Sequence, residues 1–316
     1  MSQLISLSHP DARAPHRVGG KAAALARLKA AGVPVLRGLI IPVEVFDGFL
    51  ADQVQNVARA DRSDRIRSGT LPPDLAGDLR AQVAKLGDRV VVRSSGLDED
   101  GAESSWAGQF ETVIGVRPGD ETEAAVLECW ASAFNERSVA YQARKGRTLS
   151  PRMAVLIQPV VEPRCAGVMF TINPLTGSWR EMTVEAAWGQ ALPVVQGEVV
   201  PDYYVVRRPR KCPRPIQKIL ARVQLEVTED LVRAQAHEWV IGECGLDVVE
   251  VPPARVEAPK LRHVELLRLC RLGLKVEALM GGPQDMEWAM EETGHFVVLQ
   301  SRPVTSGASV QRTGPA

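Results

Sequence analysis

Near the carboxyl end, Asp285, Glu287, Gln300 and Arg302 are spaced so that a single hairpin would set them side by side. The stretch PQDMEWAMEETGHFVVLQSRPVT, residues 283–305, reads as two strands around a turn at Thr293-Gly294. Glycine supplies the positive φ that a tight turn needs, and apolar runs flank it. A two-residue turn puts Asp285 opposite Arg302, Glu287 opposite Gln300 and Ala289 opposite Val298. Strand side chains alternate between faces. Met286, Trp288, Met290, Val297, Leu299 and Ser301 then share one face, which has the composition of core. The other face offers oxygen ligands for a hard cation beside a guanidinium fork for phosphate. A surface hairpin with cross-strand ion pairs accounts for the same pattern equally well.

Other residues of the right chemistry are scattered upstream. Gly19-Gly20 open an Ala- and Leu-rich helix that Gly32 caps and Pro34 stops. Lys21 sits in its first turn, where the helix dipole disfavours a cation. A phosphate partner would explain that placement, as would plain solvent exposure, and the GxxxxGK[ST] loop spacing is absent. RVVVRSS, residues 89–95, is a compact buried strand ending near Arg93, which either snorkels or points into a site. The loop SSWAGQFET, residues 104–112, could wrap phosphates through its amides and hydroxyls, or be a plain turn. Glu185 lies in an apolar strand and needs a partner there. Pro159 ends the strand MAVLIQPVV, leaving backbone groups after Gln158 open to a planar base.

The elements that must hold these residues are ordinary ones. The chain has 316 residues, 45% hydrophobic and 24% charged, with zero formal net charge. That suits one large domain or two lobes, and disfavours nucleic acid as a partner of the whole chain. Five dispersed cysteines without a CxxC pair suggest neither a zinc ribbon nor a redox dithiol, and fit a cytoplasmic setting. No basic segment followed by an apolar core opens the chain, so no signal peptide is expected, and no apolar run approaches the ~20 residues of a membrane span.

A long helix is expected from Asp120, with Glu123 as capping-box partner, Val126, Trp130, Ala133 and Phe134 inward, and Arg144 and Lys145 at its end. GEVVPDYYVVRR, residues 197–208, reads as a strand pair, and RRPRKCPRPIQK, residues 207–218, as a basic connecting loop. Residues 220–256 are amphipathic without a clear assignment. A helix after Pro259 would turn Leu261, Val264, Leu267, Leu274 and Leu279 inward. The tail after Thr305 is expected to be disordered.

In order, the blocks GGKAAALARLKAAGVPV, VVVRSSGLDEDGAESSWAGQFET, MAVLIQPVVEPRCAGVMFTINPLTG, EAAWG with GEVVPD, and the hairpin stretch resemble the signature blocks of one family. That family is the ATP-binding domain of phosphoenolpyruvate synthase and pyruvate phosphate dikinase, to which rifampicin phosphotransferase is similar. The resemblance implies an α/β (α+β), ATP-grasp-like fold, two lobes with the nucleotide in the cleft between them. The expected lobes are residues 1–150 and 151–305. It further implies Mg2+ and ATP as cofactors. Lys21 and Arg93 would contact phosphates, and the loop with Gly108, Gln109 and Thr112 would close over them. Gln158 and the backbone through Val160 would meet the adenine. Glu185 would line the cofactor site, Glu287 and Gln300 would hold magnesium, and Arg302 would reach the transferred phosphoryl group.

Two departures stand out. The family usually carries Asp where Asn173 stands, and Gly-Leu-Gly-Glu where this chain has Gly189 and Gln190-Ala191-Leu192. None of His9, His16, His237, His263 and His295 has the Thr/Ser/Gly-rich surroundings of the carrier histidine in full-length dikinases. The expected function is therefore phosphoryl transfer from Mg-ATP to a histidine on a separate carrier protein or to a small molecule. A degenerate ATP-binding regulator, or a ligase forming an acyl phosphate, are the alternatives.

Overall fold

The computed structural model describes residues 3–97, 111–135, 151–209, 223–243 and 245–304. The fold is mixed, with antiparallel sheets throughout the paired strands, and the chain divides into two compact units. Unit 1 comprises residues 1–30, 35–160 and 241–247; unit 2 comprises 31–34, 161–240 and 248–316.

Unit 1 is built on a five-stranded sheet of β1 (Ile5–Ser6), β2 (Leu39–Ile41), β3 (Val90–Gly96), β4 (Thr112–Val116) and β5 (Met153–Pro159). The strand order is β1-β2-β5-β3-β4. β5 sits in the middle of this sheet, although the sequence placed the lobe boundary just ahead of it. Pro159 is its last residue, where a missing N–H costs no ladder bond. One sheet face carries Leu39, Ile41, Val90, Val92, Val155 and Ile157 into a core with Phe46, Phe49 and Trp130. These aromatics come from α2 (Val43–Gln53) and α5 (Asp120–Ser132), with ring centroids 5.5 and 4.9 Å from Trp130. The short α3 (Arg62–Arg67) and α4 (Pro73–Val83) bury Ile66, Leu75, Leu79 and Val83 in the same core.

The opposite face of that sheet is covered by α1 (Pro15–Ala30). Its regular part starts after Gly19, whose φ of 75° breaks the helix, as the Gly-Gly pair predicts. Gly32, at φ 69°, follows its end. At α5 the capping box does not form. Gly119 occupies the cap, and Asp120 and Glu123 instead take Arg80 between them, each at 2.7 Å. The helix stops at Ser132, well short of Arg144 and Lys145, which lie outside the described residues.

Unit 2 is organised on a six-stranded sheet ordered β13-β12-β6-β7-β8-β9. Its strands are β6 (Cys165–Phe170), β7 (Glu181–Trp188), β8 (Asp202–Arg207), β9 (Glu226–Leu231), β12 (Gln284–Met290) and β13 (Phe296–Pro303). β10 (His237–Gly242) and β11 (Gly245–Glu250) form a separate pair. Between β7 and β8 the chain makes the short α6 (Leu192–Gln196), leaves it through Gly197 at φ 74°, and residues 197–200, expected as the first of two strands, form no strand, so that only Asp202–Arg207 pairs. After α7 (Pro253–Val256), α8 (His263–Met280) covers one sheet face with Leu266, Leu269, Cys270, Gly273, Leu274 and Val276. Val264, expected inside, is 57% exposed, because it lies off the stripe of Glu265, Leu266, Leu269, Cys270, Gly273, Leu274 and Val276 that the helix buries. Among the described residues no helix is long and apolar enough to cross a membrane.

Candidate functional site

In unit 2, the hairpin of β12 and β13 pairs Asp285 with Arg302 and Glu287 with Gln300, as read from the sequence. The rest of the register differs. Glu291 receives the Gly294 N–H at 2.8 Å and donates to His295 O at 2.9 Å. The loop is therefore three residues long, with Gly294 at φ 80°. A bulge beyond Glu287 absorbs the extra residue, so Trp288 faces Val298 and Ala289 faces Val297. The two deviations cancel at the acidic end. Phe296 and Val298, and not Val297 and Leu299, join Met286, Trp288 and Met290 on the core face. Trp288 meets Phe296 edge-on at 5.8 Å.

Directly opposed residues in antiparallel strands share a face. Reading across the ladders gives a row Gln300–Glu287–Val168–Glu185–Tyr203 and, beside it, Arg302–Asp285–Phe170–Thr183–Val205. Glu185, Asp285, Glu287, Gln300 and Arg302 are therefore on one face, the one turned away from Met286 and Trp288. Gly167 permits this close pairing: a Cβ there would lie 1.9 Å from the Glu185 carbonyl oxygen. A third row, Ala289–Ala166–Ala187, continues the face as apolar floor, with Ala191, Val161 and Leu299 packed against it.

Charge on this face is crowded. Arg302 donates from Nε and Nη2 to Asp285 Oδ2, at 2.8 and 2.7 Å. Burial raises the Asp285 carboxyl above its ordinary value, Arg302 opposes this, and Glu287 adds to it. Glu185 is raised by burial and then by Asp285. Neighbouring strands lie about 4.8 Å apart, so Glu185 and Glu287, with β6 between them, stand on the order of 10 Å apart at the backbone. Among the described residues no three His, Cys, Asp or Glu side chains converge enough to hold a metal ion.

In unit 1, Arg93, Thr112 and Gln158 share the sheet face under α1: Arg93 pairs with Thr112 and Leu156, and Val91 with Gln158. Lys21, buried on α1, donates to the Ser94 carbonyl at 2.9 Å, which brings it beside Arg93. Ser95 fixes the helix start, accepting from Ala22 N at 3.1 Å and donating to Val18 O at 2.8 Å. A Cβ on Gly19 would fall 2.1 Å from the Ser95 carbonyl oxygen. Sequence reading passed over Ser95, whose side chain resembles any other small polar group in a strand.

The expected base-binding connector is less open than the sequence suggested. Gln158 is buried and donates to Leu36 O at 3.5 Å, and the Val160 N–H is taken by Arg89 O at 3.1 Å. Gly108 and Gln109 lie outside the described residues.

Both departures from the family pattern are built into the local structure. Asn173 Oδ1 accepts from Leu175 N and Thr176 N at 3.0 and 3.2 Å, and Nδ2 donates to Glu181 at 3.0 Å. An aspartate could not make that last bond. Gln190 donates to Val161 O at 2.7 Å, and Ala191 belongs to the apolar floor. All five histidines are exposed, and His9 Nδ1 accepts from Asp11 N.

On the other face of unit 2's sheet lies a polar network absent from the sequence reading. Asp202 accepts from Lys260 Nζ, Lys260 N, Arg233 N and Tyr204 Oη at 2.8 to 2.9 Å. Both Asp202 and Lys260 are fully buried. Every carboxylate lone pair is used, so the network serves packing specificity and has no capacity left for a ligand.

Residues 15–314 match the family described as pyruvate phosphate dikinase, AMP/ATP-binding domain. The chain is 33% identical over 313 residues to the prodigiosin synthesizing transferase PigC of Serratia marcescens, covering 96% of this chain and 33% of that protein. It is 31% identical to a probable phosphoenolpyruvate synthase of Methanocaldococcus jannaschii, over 91% of this chain and 25% of that protein. It is 32% identical to a rifampicin phosphotransferase of a Streptomyces species, over 96% of this chain and 36% of that protein. The chain thus spans between a quarter and roughly a third of the length of these relatives. With the ordered sequence blocks and a match over nearly its whole length, the chain belongs to the pyruvate phosphate dikinase AMP/ATP-binding domain family.

Proposed function

We propose that this chain binds ATP with magnesium and passes a phosphoryl group to an acceptor held on another domain, another protein or a small molecule. The observation that carries the reading is the single face of unit 2 bearing Glu185, Asp285, Glu287, Gln300 and Arg302. Family membership supports ATP as the donor. The donor set is oxygen only, which fits a hard cation, and its spread fits magnesium held by one or two protein groups with phosphate oxygens completing the shell. Glu287 and Gln300 are the proposed ligands, and Glu185 lines the cofactor face. Magnesium, when bound, would neutralise charge on the phosphates.

The chain's own residues do the positioning. Arg302 is aimed by Asp285 and offers a fork to the transferred group. Lys21 and Arg93, fixed on unit 1 by Ser94 and the β3 ladder, are the proposed phosphate contacts, with Thr112 beside them. Gln158 and Val160 contribute to the base site through packing and the Val160 carbonyl, since the Val160 N–H is already bonded. Five exposed histidines support an acceptor elsewhere.

The test is chromatography of nucleotides after incubating the chain with Mg-ATP and candidate acceptors. Transfer to a carrier histidine by dikinase chemistry predicts AMP and phosphate; a direct kinase predicts ADP. No acceptor-dependent product in any mixture would overturn the proposal.

A further inference from the structure

At the end of β7 and β8 remote from Trp188, unit 2 holds a cavity of about 700 Å³ walled by Arg180, Arg207, Arg208, Arg271 and Glu226. None of these residues belongs to the site described above. Arg208 is 5% exposed, pairs with Glu277 at 2.8 Å, donates to the Trp179 carbonyl and lies over the Trp179 ring at 5.4 Å. It is a fixed wall. Arg207 has only a loose partner in Glu226, at 3.8 Å, whose side chain is 72% exposed. Among the described residues no carboxylate pairs with Arg180 or Arg271. The Nε of each is buried without a hydrogen-bond partner.

Among the described residues four guanidinium groups at this wall meet two carboxylates, Glu226 and Glu277, so the wall carries excess positive charge. An oxyanion in the cavity would accept from guanidinium N–H groups and cancel that charge. The volume exceeds what one small ion needs and admits a phosphate carrying a substituent. We propose that this cavity is a second oxyanion site, specific for a phosphoryl group, separate from the carboxylate-bearing face.

The test titrates pyrophosphate calorimetrically into the full chain in magnesium-free buffer, in a Lys21→Met background that removes one proposed phosphate contact on unit 1, with and without Arg180→Gln/Arg271→Gln. Adding that pair is expected to weaken binding at least about tenfold, and removing two exposed arginines instead, Arg27→Gln/Arg65→Gln, to change it by less than about twofold. Equal affinity with and without the Arg180 and Arg271 substitutions overturns the proposal. So does an equal loss in Arg27→Gln/Arg65→Gln, which would make the effect one of net charge alone. Citrate is expected to bind about tenfold more weakly than pyrophosphate; equal binding overturns the phosphoryl assignment. Inorganic phosphate and phenyl phosphate then separate a free ion from an ester by which binds tighter, and binding of neither overturns the site. A measurement on the wild type alone guards against misfolded variants. Pyrophosphate should slow phenylglyoxal modification of Arg180 and Arg271, followed by peptide mapping, and absence of protection contradicts the proposal.

Discussion

Arg302 reaches back across the hairpin and places Nε and Nη2 on the same oxygen of Asp285, at 2.8 and 2.7 Å. Asp285 is thus the group that aims the guanidinium, and burial has raised its carboxyl above the ordinary range. As pH falls, Asp285 therefore takes up its proton earlier than an exposed aspartate and releases Arg302. Phosphoryl transfer should show an acid limb above the usual aspartate range, and Asp285→Asn should abolish that limb while lowering the rate about tenfold. A pH–rate profile of both proteins checks this.

Gly19 combines a φ of 75° with a hypothetical Cβ 2.1 Å from the Ser95 carbonyl oxygen. Gly281 has φ 83° but open space around it. Gly19→Ala should cost several kcal/mol, about 3 or more, against about 1 for Gly281→Ala. Urea denaturation of the two variants measures the difference.

Asn173 holds its turn as both acceptor and donor. Asn173→Asp replaces the bond to Glu181 by carboxylate repulsion. It should cost about 1–2 kcal/mol at neutral pH, less in acid where one carboxyl is protonated, and should not raise activity. Denaturation at two pH values together with a rate assay checks it.

Glu265 is buried, which alone would raise its carboxyl, but bonds from Arg262 and Arg164 outweigh this and hold it at about 2. A carboxyl depressed in the fold stabilises above its unfolded pKa, and that contribution is lost as pH falls toward the folded value. Glu265→Gln should therefore be less stable than wild type by ~2 kcal/mol at neutral pH, with the gap closing through the acid range below the ordinary glutamate value. Denaturant melts across that range measure the gap.

The sequence made the acidic end of the hairpin legible because strand alternation and a glycine turn dictate it locally. It misplaced Val297 and Leu299, because a three-residue turn and a bulge are both one-residue effects, visible only when tertiary packing selects Phe296 and Val298 for the core. The row joining Glu287 to Glu185 was beyond local reading, since it requires knowing that β6 lies between β12 and β7. Lys260 and Asp202, 58 positions apart, leave no pattern in the sequence at all. The Gly-Gly helix start was clear from residue type. Its clamp by Ser95 was not, since nothing local marks one serine among several.

The most direct measurement of the central claim is magnesium-dependent ATP turnover with an active acceptor, comparing wild type with Glu287→Gln. The account predicts that the variant still binds ATP without magnesium but loses about 100-fold or more in transfer with it. A Glu287→Gln protein that turns over ATP at the wild-type rate, with the same magnesium dependence, would contradict it.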